Sequence, residues 1–481
     1  MLLLRKDKIR ERILLKGVSV SKLLNSLKED LIKKYNVNGP YYTSYPILSE
    51  WSEQFADNDY KNGLTALCSG KQELPLFLYI HFPFCAKQCY YCICNSTITY
   101  NHSTTRNFLT HLSREIDMFY DFFKKRSFIP KVKMVHIGGG TPNLMNEEEF
   151  EFLLKQIRKL VNLKDLNEFA MEIDPRTVNK QKLKYYSDKG VNRISFGIQD
   201  FDTYVQKAIN RTQSFEMVDQ LLSPEIRKHF KSINFDILYG LPLQSRETFR
   251  KTIENVKKLS PDRITLLKYA HVPERIKHQR LIKKEDIPNY IDSTLMFVES
   301  IDSLVSAGYE YIGIDHFAKS SDSLARANKN KTLWRNFLGV SPGGMHNTIG
   351  IGVTSTSSVN DYYAQNVYSV EEYYQSIKKN VFPIFRGFKL STDDLIRREI
   401  IHSIICNYCL DFADIERKYK IKFKEYFRKE MNLLKYLEED NMIKVYKASF
   451  KVTSLGRIFI RHICKVFDKF TRNKKCKVFG P

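Results

Sequence analysis

The stretch Leu76-Phe-Leu-Tyr-Ile-His81, followed by Cys85-Ala-Lys-Gln-Cys89-Tyr-Tyr-Cys92-Ile-Cys94, carries the strongest signal in this chain. The apolar run is typical of a buried strand, and four cysteines then fall within ten residues. Thiolates this close in sequence pair poorly as disulfides, but they can bind one soft metal centre together. The stretch therefore predicts a metal-binding loop at the end of a strand.

The first three cysteines have the spacing C-x3-C-x2-C and offer three ligands. A cubane iron–sulfur cluster has four irons and normally takes four cysteines, so three thiolates leave one iron open to bind another molecule. Zinc is the competing interpretation, and its structural sites usually repeat a C-x2-C knuckle. No second knuckle lies near this one in the sequence, so a reactive iron–sulfur cluster is favoured.

Length and composition set the class of protein. The 481 residues are enough for a catalytic domain with appendages. Nine cysteines, four of them clustered, indicate a reducing compartment rather than a disulfide scaffold. Met1–Arg5 is too short for the apolar part of a signal peptide, and no apolar run approaches the ~20 residues that span a bilayer. We expect a soluble, cytoplasmic protein.

The net charge of +23 has three interpretations: a nucleic-acid surface, an anionic substrate, or a lysine-rich background that gives a generally solvated basic surface. Basic residues are spread along the chain, with short clusters at 124–126, 283–284 and 472–477. Aromatic residues are not interleaved with them in a stacking pattern. The solvated surface is favoured.

A βα alternation runs from about residue 75 to about residue 310. Periodicity predicts strands at 76–81, 132–137, 168–173, 191–197, 233–238 and 264–269, and helices at 105–124, 147–161, 178–188, 214–229 and 246–258. Strands separated by helices indicate a parallel sheet, and six such units indicate a partial or complete barrel.

Chemically suggestive residues follow these strands, where barrels carry their chemistry. They are the cysteines after the first strand, Gly138–Pro142 after the second, Glu172 and Asp174 at the third, Gln199, Asp200 and Arg211 after the fourth, Asp236 in the fifth, and Ala270 and His271 at the sixth. Each alone has an ordinary explanation, such as a tight turn or a helix cap. Their joint placement around one rim predicts a single site.

Several segments carry a family resemblance. They are Tyr42-Thr-Ser-Tyr-Pro46, Tyr79-Ile-His-Phe-Pro-Phe-Cys85, Val135-His-Ile-Gly-Gly-Gly-Thr-Pro142, Glu172-Ile-Asp-Pro-Arg176, Phe196-Gly-Ile-Gln-Asp200, Asp236-Ile-Leu-Tyr-Gly-Leu-Pro242 and Gly313-Ile-Asp-His-Phe-Ala318. With the cysteine loop, they resemble the oxygen-independent coproporphyrinogen III oxidases (dehydrogenases) of the radical S-adenosylmethionine (SAM) superfamily. The resemblance covers roughly residues 30 to 470, and about the first 17 residues look like an addition.

The resemblance implies an α/β fold. Residues 71–371 would form a partial (β/α)6 radical SAM barrel. Residues 1–70 would form an N-terminal extension that covers the barrel, and residues 372–481 a mostly helical C-terminal domain. Ser391, a capping residue before a helical pattern, agrees with that last part.

The resemblance also implies concrete chemistry. One [4Fe–4S] cluster would chelate SAM at its open iron, and reduction would release a 5′-deoxyadenosyl radical. The radical would abstract hydrogen from a propionate of coproporphyrinogen III. Loss of carbon dioxide and one electron would leave a vinyl group. Two propionates would react in turn to give protoporphyrinogen IX for haem biosynthesis.

Roles carried over from the family fall on residues of this chain. Cys85, Cys89 and Cys92 would ligate the cluster. Contacts to two SAM molecules would come from Tyr79, Tyr91, Gly139, Gly140, Thr141, Glu172, Gln199, Arg211, Asp236, Ala270 and Thr356. Tyr79, His81 and Cys94 are the candidate catalytic residues. Packing explains Tyr79 and a core histidine explains His81 about as well, while Cys94 is either a small buried hydrophobe or a residue near the second SAM.

Three positions depart from the family pattern. Leu338 stands where the family commonly has an amide, in Phe337-Leu-Gly-Val-Ser341, and leucine cannot replace its hydrogen bonds. Thr356 stands where an isoleucine is usual. Tyr41 replaces an arginine, which could hold a propionate with a bidentate fork. These departures concern substrate handling.

The expected partners are coproporphyrinogen III and a flavodoxin- or ferredoxin-type reductant, with no membrane, no nucleic acid and a monomeric chain. Two alternatives stay open. A related haem-binding chaperone is disfavoured by Cys94 and by Tyr42–Pro46. A radical SAM enzyme that modifies RNA is motivated by the charge and would bind RNA in a salt-sensitive way.

Overall fold

The computed structural model describes residues 27–36, 39–70 and 74–471. The predicted N-terminal addition and the basic cluster at 472–477 lie outside these residues. Within the described ranges, none of the helices combines the length and apolar character that crossing a bilayer needs.

Nineteen strands are described. They are β1 Leu76–Phe82, β2 Phe84–Cys85, β3 Thr97–Ile98, β4 Val132–Gly139, β5 Glu168–Ile173, β6 Arg193–Gln199, β7 Ser232–Tyr239, β8 Arg263–Lys268, β9 Tyr309–Gly313, β10 His316–Lys319, β11 Leu333–Asn336, β12 Gly339–Pro342, β13 Asn347–Ile351, β14 Thr356–Val359, β15 Tyr362–Asn366, β16 Ile384–Lys389, β17 Cys409–Asp411, β18 Ile443–Val445 and β19 Ser449–Val452.

The helices lie between and after these strands. In the described part of the chain they are Glu29–Lys34, Asp57–Ser69, His102–Lys124, Glu147–Ile157, Lys180–Asp188, Thr203–Ala208, Phe215–Leu221, Pro224–Arg227, Arg246–Leu259, Tyr290–Ser306, Ser323–Lys329, Val370–Lys378, Thr392–Asn407, Phe412–Tyr419, Phe423–Tyr426, Arg428–Glu439, Ser454–Ile458 and Ile460–Val466.

Twelve strands form one sheet, in the order β16-β15-β14-β13-β1-β4-β5-β6-β7-β8-β10-β9. β1 and β4 to β8 are parallel neighbours in chain order, as expected for strands joined by crossover helices. These six βα strands form the predicted partial barrel. β13 adds a parallel strand beside β1, while β10 and β14 pair antiparallel at either side.

The burial of the six parallel strands explains their apolar sequences. β4 and β7 are almost wholly buried, because helices cover a parallel sheet from outside while side chains fill its interior. Their residues form one large apolar core with the covering helices. The sheet is therefore a rigid frame that fixes the positions of the loops after each strand.

The periodicity predicted these strands to within two residues at each end, but one helix was wrong. The segment 214–229 is two helices, Phe215–Leu221 and Pro224–Arg227. Proline has no N–H to donate and its ring clashes with the preceding turn, so it begins a new helix rather than continuing one. The predicted helix 147–161 also ends early, at Ile157.

The region after residue 372 is mostly helical and contains a small antiparallel sheet, β17-β19-β18. β16 also follows residue 371 and pairs with β15 of the large sheet. This region packs against the N-terminal segment. The Tyr42 hydroxyl donates to an Asp468 carboxylate oxygen at 3.0 Å, and the Arg461 guanidinium lies 4.2 Å from the centroid of the Tyr41 ring.

Candidate active site

One cavity of about 950 Å³ opens at the carboxyl ends of the parallel strands. Every residue given a site role from the sequence lines it: Tyr79, His81, Cys85, Cys89, Tyr91, Cys92, Cys94, Gly139, Gly140, Thr141, Glu172, Gln199, Arg211, Asp236, Ala270 and Thr356. Tyr41 and Leu338, which depart from the family pattern, line the same cavity. Its volume suits a large organic ligand.

Side chains that follow β6 and β8 in the chain donate hydrogen bonds to backbone carbonyls of the cysteine loop. Asn210 donates its side-chain N–H to the carbonyl of Gln88 at 2.8 Å. The Gln279 side chain donates to the carbonyl of Tyr91 at 2.9 Å, and His278 Nε2 donates to that of Cys92 at 2.6 Å. The loop therefore has a defined conformation before any ligand binds.

Polar groups surround the thiols. Thr141 Oγ1 lies 3.4 Å from Cys85 Sγ, and one guanidinium nitrogen from each of Arg176 and Arg211 lies 3.6 Å from Cys89 Sγ. The backbone N–H of Cys94 lies 3.4 Å from Cys92 Sγ. The hydrogen bond from Cys94 lowers the pKa of the Cys92 thiol, whereas burial raises the pKa of the Cys85 thiol to about 11. The thiolate is the form that binds metal.

Three thiols on one loop, facing a polar cavity, fit a cluster with an open iron. In residues 27–36, 39–70 and 74–471, no three His, Cys, Asp or Glu side chains converge tightly enough to hold a single metal ion. A cubane cluster differs from a single ion, because each cysteine ligates its own iron and the sulfurs stay apart. The donor set is thus compatible with a cubane cluster.

The glycines after β4 allow two backbones to approach closely. Gly139 has φ +109°, and a Cβ there would lie 2.5 Å from the His81 ring. A Cβ on Gly140 would lie 2.6 Å from the Phe84 carbonyl oxygen. Gly140 N–H instead donates to the Phe82 carbonyl at 2.7 Å. Side chains at these positions would displace the strand that leads into the cysteine loop.

Glu172 is fixed as a carboxylate at the end of β5. Gly139 N–H donates to its Oε2 and His136 Nε2 to its Oε1, both at 3.0 Å. Burial acts to raise the pKa of Glu172, but the hydrogen bond and charge of His136 and the hydrogen bond from Gly139 together outweigh burial, and the pKa is lowered. The cavity therefore contains a permanently negative group that can accept a hydrogen bond from an ammonium or hydroxyl group.

Tyr79 and His81 form a hydrogen-bonded chain on one face of β1. His81 Nε2 lies 3.0 Å from the Asn95 carbonyl oxygen, and Nδ1 lies 3.0 Å from the Tyr79 hydroxyl. A carbonyl only accepts, so Nε2 carries the proton and Nδ1 accepts from Tyr79. Burial lowers the pKa of His81, which keeps the imidazole neutral.

A buried ion-pair network lies beside the cysteines. Asp174 Oδ2 is 2.6 Å from Arg176 Nη2 and 3.2 Å from Arg211 Nη1. Burial opposes ionisation of Asp174, but Arg211 and Arg176 together outweigh it and lower the pKa to about 2. Arg211 also donates to the Gly197 carbonyl through Nε and Nη2. These contacts fix the guanidinium without any ligand.

Two residues from the predicted rim do not reach the cavity. Asp200 is fully buried and accepts from Thr252 Oγ1 at 2.7 Å, so it ties β6 to a helix. His271 pairs with the Tyr269 hydroxyl at 2.9 Å. Cys94 is exposed towards the cavity, so the alternative that it is a buried hydrophobe is wrong.

The sequence did not indicate several residues that build the site. His136 positions Glu172. The sequence feature that could have identified it is a histidine within the apolar run that precedes the glycines. His278, Gln279 and Lys268 had no local signal, because they come from the far side of the barrel. Asp236 is held by Ser195 Oγ at 2.7 Å and Asn234 Nδ2 at 2.8 Å, two contacts that strand alternation alone does not reveal.

Comparison with known proteins defines the class first. Residues 79–256 match the family model described as the Radical SAM superfamily. The chain is 36% identical to a solved structure described as coproporphyrinogen III oxidase (HemN) from Escherichia coli, a radical SAM enzyme. The TM-score is 0.84, with 90% of this chain and 100% of that chain covered.

Relatives with established names identify the family within this superfamily. The chain is 38% identical over 444 residues to the oxygen-independent coproporphyrinogen III oxidase of Escherichia coli (strain K12), covering 92% of this chain and 95% of that protein. It is 36% identical over 450 residues to the enzyme of the same name from Helicobacter pylori (strain ATCC 700392 / 26695), with 93% and 98% covered. The chain belongs to the oxygen-independent coproporphyrinogen III oxidase family.

Proposed function

We propose that this protein oxidatively decarboxylates two propionates of coproporphyrinogen III to vinyl groups, giving protoporphyrinogen IX without oxygen in haem biosynthesis. The observation that carries the proposal is the cysteine loop facing a cavity of about 950 Å³ in a chain that matches the family over its length. The cavity is of the size that large ligands need.

The proposal assigns the cluster to Cys85, Cys89 and Cys92, and SAM contacts to the residues that share the cavity with them. When bound, the [4Fe–4S] cluster and SAM supply the radical chemistry that removes a hydrogen atom from a propionate side chain. The protein positions these groups and keeps water away from them. A second SAM site, and a roughly three-part division at residues 70 and 371, belong to the same proposal.

In this proposal, the buried groups of the cavity each have a role in binding SAM or substrate. Glu172, held ionised by His136 and Gly139, accepts a hydrogen bond from the amino group of SAM. Neutral His81 holds the Tyr79 hydroxyl in one orientation against the cavity wall. Arg211 is held by Gly197 and Asp174, so its unused N–H face is available to a carboxylate or hydroxyl of the ligand.

Electrons come from a flavodoxin- or ferredoxin-type donor in this proposal, and the enzyme acts as a cytoplasmic monomer. Such donors are acidic, and the net charge of +23 favours their approach by electrostatic steering. Addition of salt is therefore expected to slow reduction by a protein donor more than reduction by dithionite.

The deciding experiment is an anaerobic assay of purified, cluster-reconstituted protein with SAM, a strong reductant and coproporphyrinogen III. We expect substrate-dependent 5′-deoxyadenosine and a porphyrin product lighter by two decarboxylations, detected by mass. Deoxyadenosine without a decarboxylated product would contradict the proposed substrate. Salt-sensitive RNA binding or tight haem binding in the same preparation would then favour one of the two alternatives.

A further inference from the structure

The cations that line the cavity differ in their partners. There are nine: Lys87, Arg176, Arg193, Arg211, Arg263, Lys268, Arg275, Arg335 and Arg386. Five are ion-paired, Arg176 and Arg211 with Asp174, Arg193 and Arg263 with Glu168, and Arg335 with Asp315. Five of the nine therefore have a carboxylate partner within the protein, although Arg176 and Arg211 share one carboxylate.

The other four have no carboxylate partner in the described part of the chain. Lys87 and Arg275 are exposed, so water solvates their charge. Arg386 donates to Gln365 Oε1 and to the Tyr368 hydroxyl, both at 2.8 Å. Lys268 is half-buried at the end of β8, where it lines the cavity, and its ammonium group has no hydrogen-bond acceptor among these residues.

The contacts of Lys268 are aromatic and cationic. Its Nζ lies 4.3 Å from the centroid of the Tyr290 ring. Arg461 acts on it electrostatically as a second positive charge. Burial, and then Arg461, lower the pKa of Lys268 to about 7. A cation–π contact offsets only part of the cost of removing an ammonium group from water.

Tyr41 lies in the same neighbourhood. Its ring lines the cavity and stacks on the Arg461 guanidinium, 4.2 Å from ring centroid to Cζ. Lys268 supplies a cation to the same end of the cavity.

We propose that Lys268 binds a propionate carboxylate of the substrate. The inference rests on the proposed function and names the part of the cavity that recognises the substrate. A carboxylate beside Lys268 would be attracted by its ammonium group. It would compensate a charge for which the described part of the chain supplies no acceptor.

The test is an anaerobic binding titration with coproporphyrin III as the probe, on cluster-reconstituted, SAM-loaded protein without reductant. The fluorescence or absorbance of the porphyrin reports binding, and no turnover occurs. We expect Lys268→Met to weaken binding about 10- to 100-fold, as for loss of a charge-assisted hydrogen bond. Lys268→Arg should stay within about threefold of the natural chain, because it keeps the charge.

The matched control is Lys283→Met, which removes the same charge from an exposed position outside the cavity. It should leave affinity unchanged. Since an ammonium group without a carboxylate partner is replaced by an apolar side chain, Lys268→Met should melt no lower than the natural chain, so weak binding cannot be attributed to unfolding. The tetramethyl ester of the probe should bind both proteins equally.

Equal affinity of Lys268→Met and the natural chain for coproporphyrin III would overturn this inference and leave the proposed function standing. An equal loss in Lys283→Met would also overturn it, because net charge rather than position would then govern binding. Failure of the natural chain to bind the porphyrin at all would contradict the proposed function, and the inference with it.

Discussion

The two ends of the cavity handle charge in opposite ways. Beside the cysteines, Asp174 is paired with two arginines and Glu172 with His136 and a backbone N–H. At the other end, Lys268 contacts an aromatic ring and is repelled by a second cation. One end is organised before a ligand arrives, and the other is completed by the ligand. Catalysis needs groups that are already positioned before the ligand binds. Recognition of an anion can use a cation whose partner is supplied by the ligand.

The largest effect is expected at the cysteine end. Replacing Cys85, Cys89 or Cys92 by alanine removes a proposed ligand and should abolish both the cluster absorbance and SAM cleavage. Iron and sulfide analysis after reconstitution measures the first, and deoxyadenosine the second. Cys68→Ala, outside the loop, should retain both. A loop variant that keeps its cluster would show that the ligands lie elsewhere.

The second largest effect is expected for the buried ion pair between Arg211 and Asp174. Arg211→Met leaves Asp174 with one cation and the Gly197 carbonyl with only the Gln213 donor, so we expect a loss of about 3–5 kcal/mol in the free energy of unfolding. Arg246→Met breaks a surface pair with Glu299 and should cost at most about 1 kcal/mol. Denaturant titration compares them. Equal losses would mean that the network at the cysteine end is not preorganised.

A third change tests whether positions 41 and 268 can each supply the cation at this end of the cavity. Adding Tyr41→Arg to Lys268→Met should restore most of the porphyrin affinity that the single change removes, because a guanidinium returns to that end. Tyr41→Arg alone should melt lower than the natural chain, since it adds a third cation beside Lys268 and Arg461. The binding titration and thermal unfolding measure these effects. Additive losses of affinity would contradict a shared role.

A smaller effect is expected on the pH dependence of the free energy of unfolding. The folded pKa of Lys268 is about 7 and its unfolded pKa is about 10.4, so the unfolded chain binds more protons between these values. The lysine therefore destabilises the protein fully below pH 7 and progressively less towards pH 10. Lys268→Met should raise the melting temperature by a few degrees at pH 6.5 and have little effect near pH 10. Tyr290, whose ring faces the ammonium group, has its pKa raised by burial and stays protonated over this range.

The smallest effect is expected at Leu338, which lines the cavity. Its backbone N–H donates to Asn336 Oδ1 at 2.8 Å, so the turn does not depend on the side chain. Leu338→Gln adds one neutral hydrogen-bonding group, worth about 0.5–1.5 kcal/mol. Turnover should change by no more than about tenfold in steady-state assays. A larger change would mean that this position acts in the reaction itself.

The barrel could be predicted because its signal is local. Apolar runs of six to eight residues, separated by helical periods, give the strands, and the cysteines and glycines mark the loops that follow. Asp200 was misplaced at the rim because its partner Thr252 is 52 positions later. Lys268 had no signal because its neighbours Tyr41, Tyr290 and Arg461 come from three distant segments. Sequence pattern predicts elements, while the chemistry of contacts between distant segments needs the fold.

Near Tyr41, the N-terminal segment of the chain is held by contacts with the C-terminal region. The Tyr42–Asp468 hydrogen bond links positions 426 residues apart. During translation, the N-terminal segment leaves the ribosome long before the helix that carries Arg461 has been made. The barrel strands are therefore complete before the contact that anchors Tyr42 can form. A premature stop codon just before Asp468 would remove the acceptor that holds Tyr42, the neighbour of the cavity-lining Tyr41.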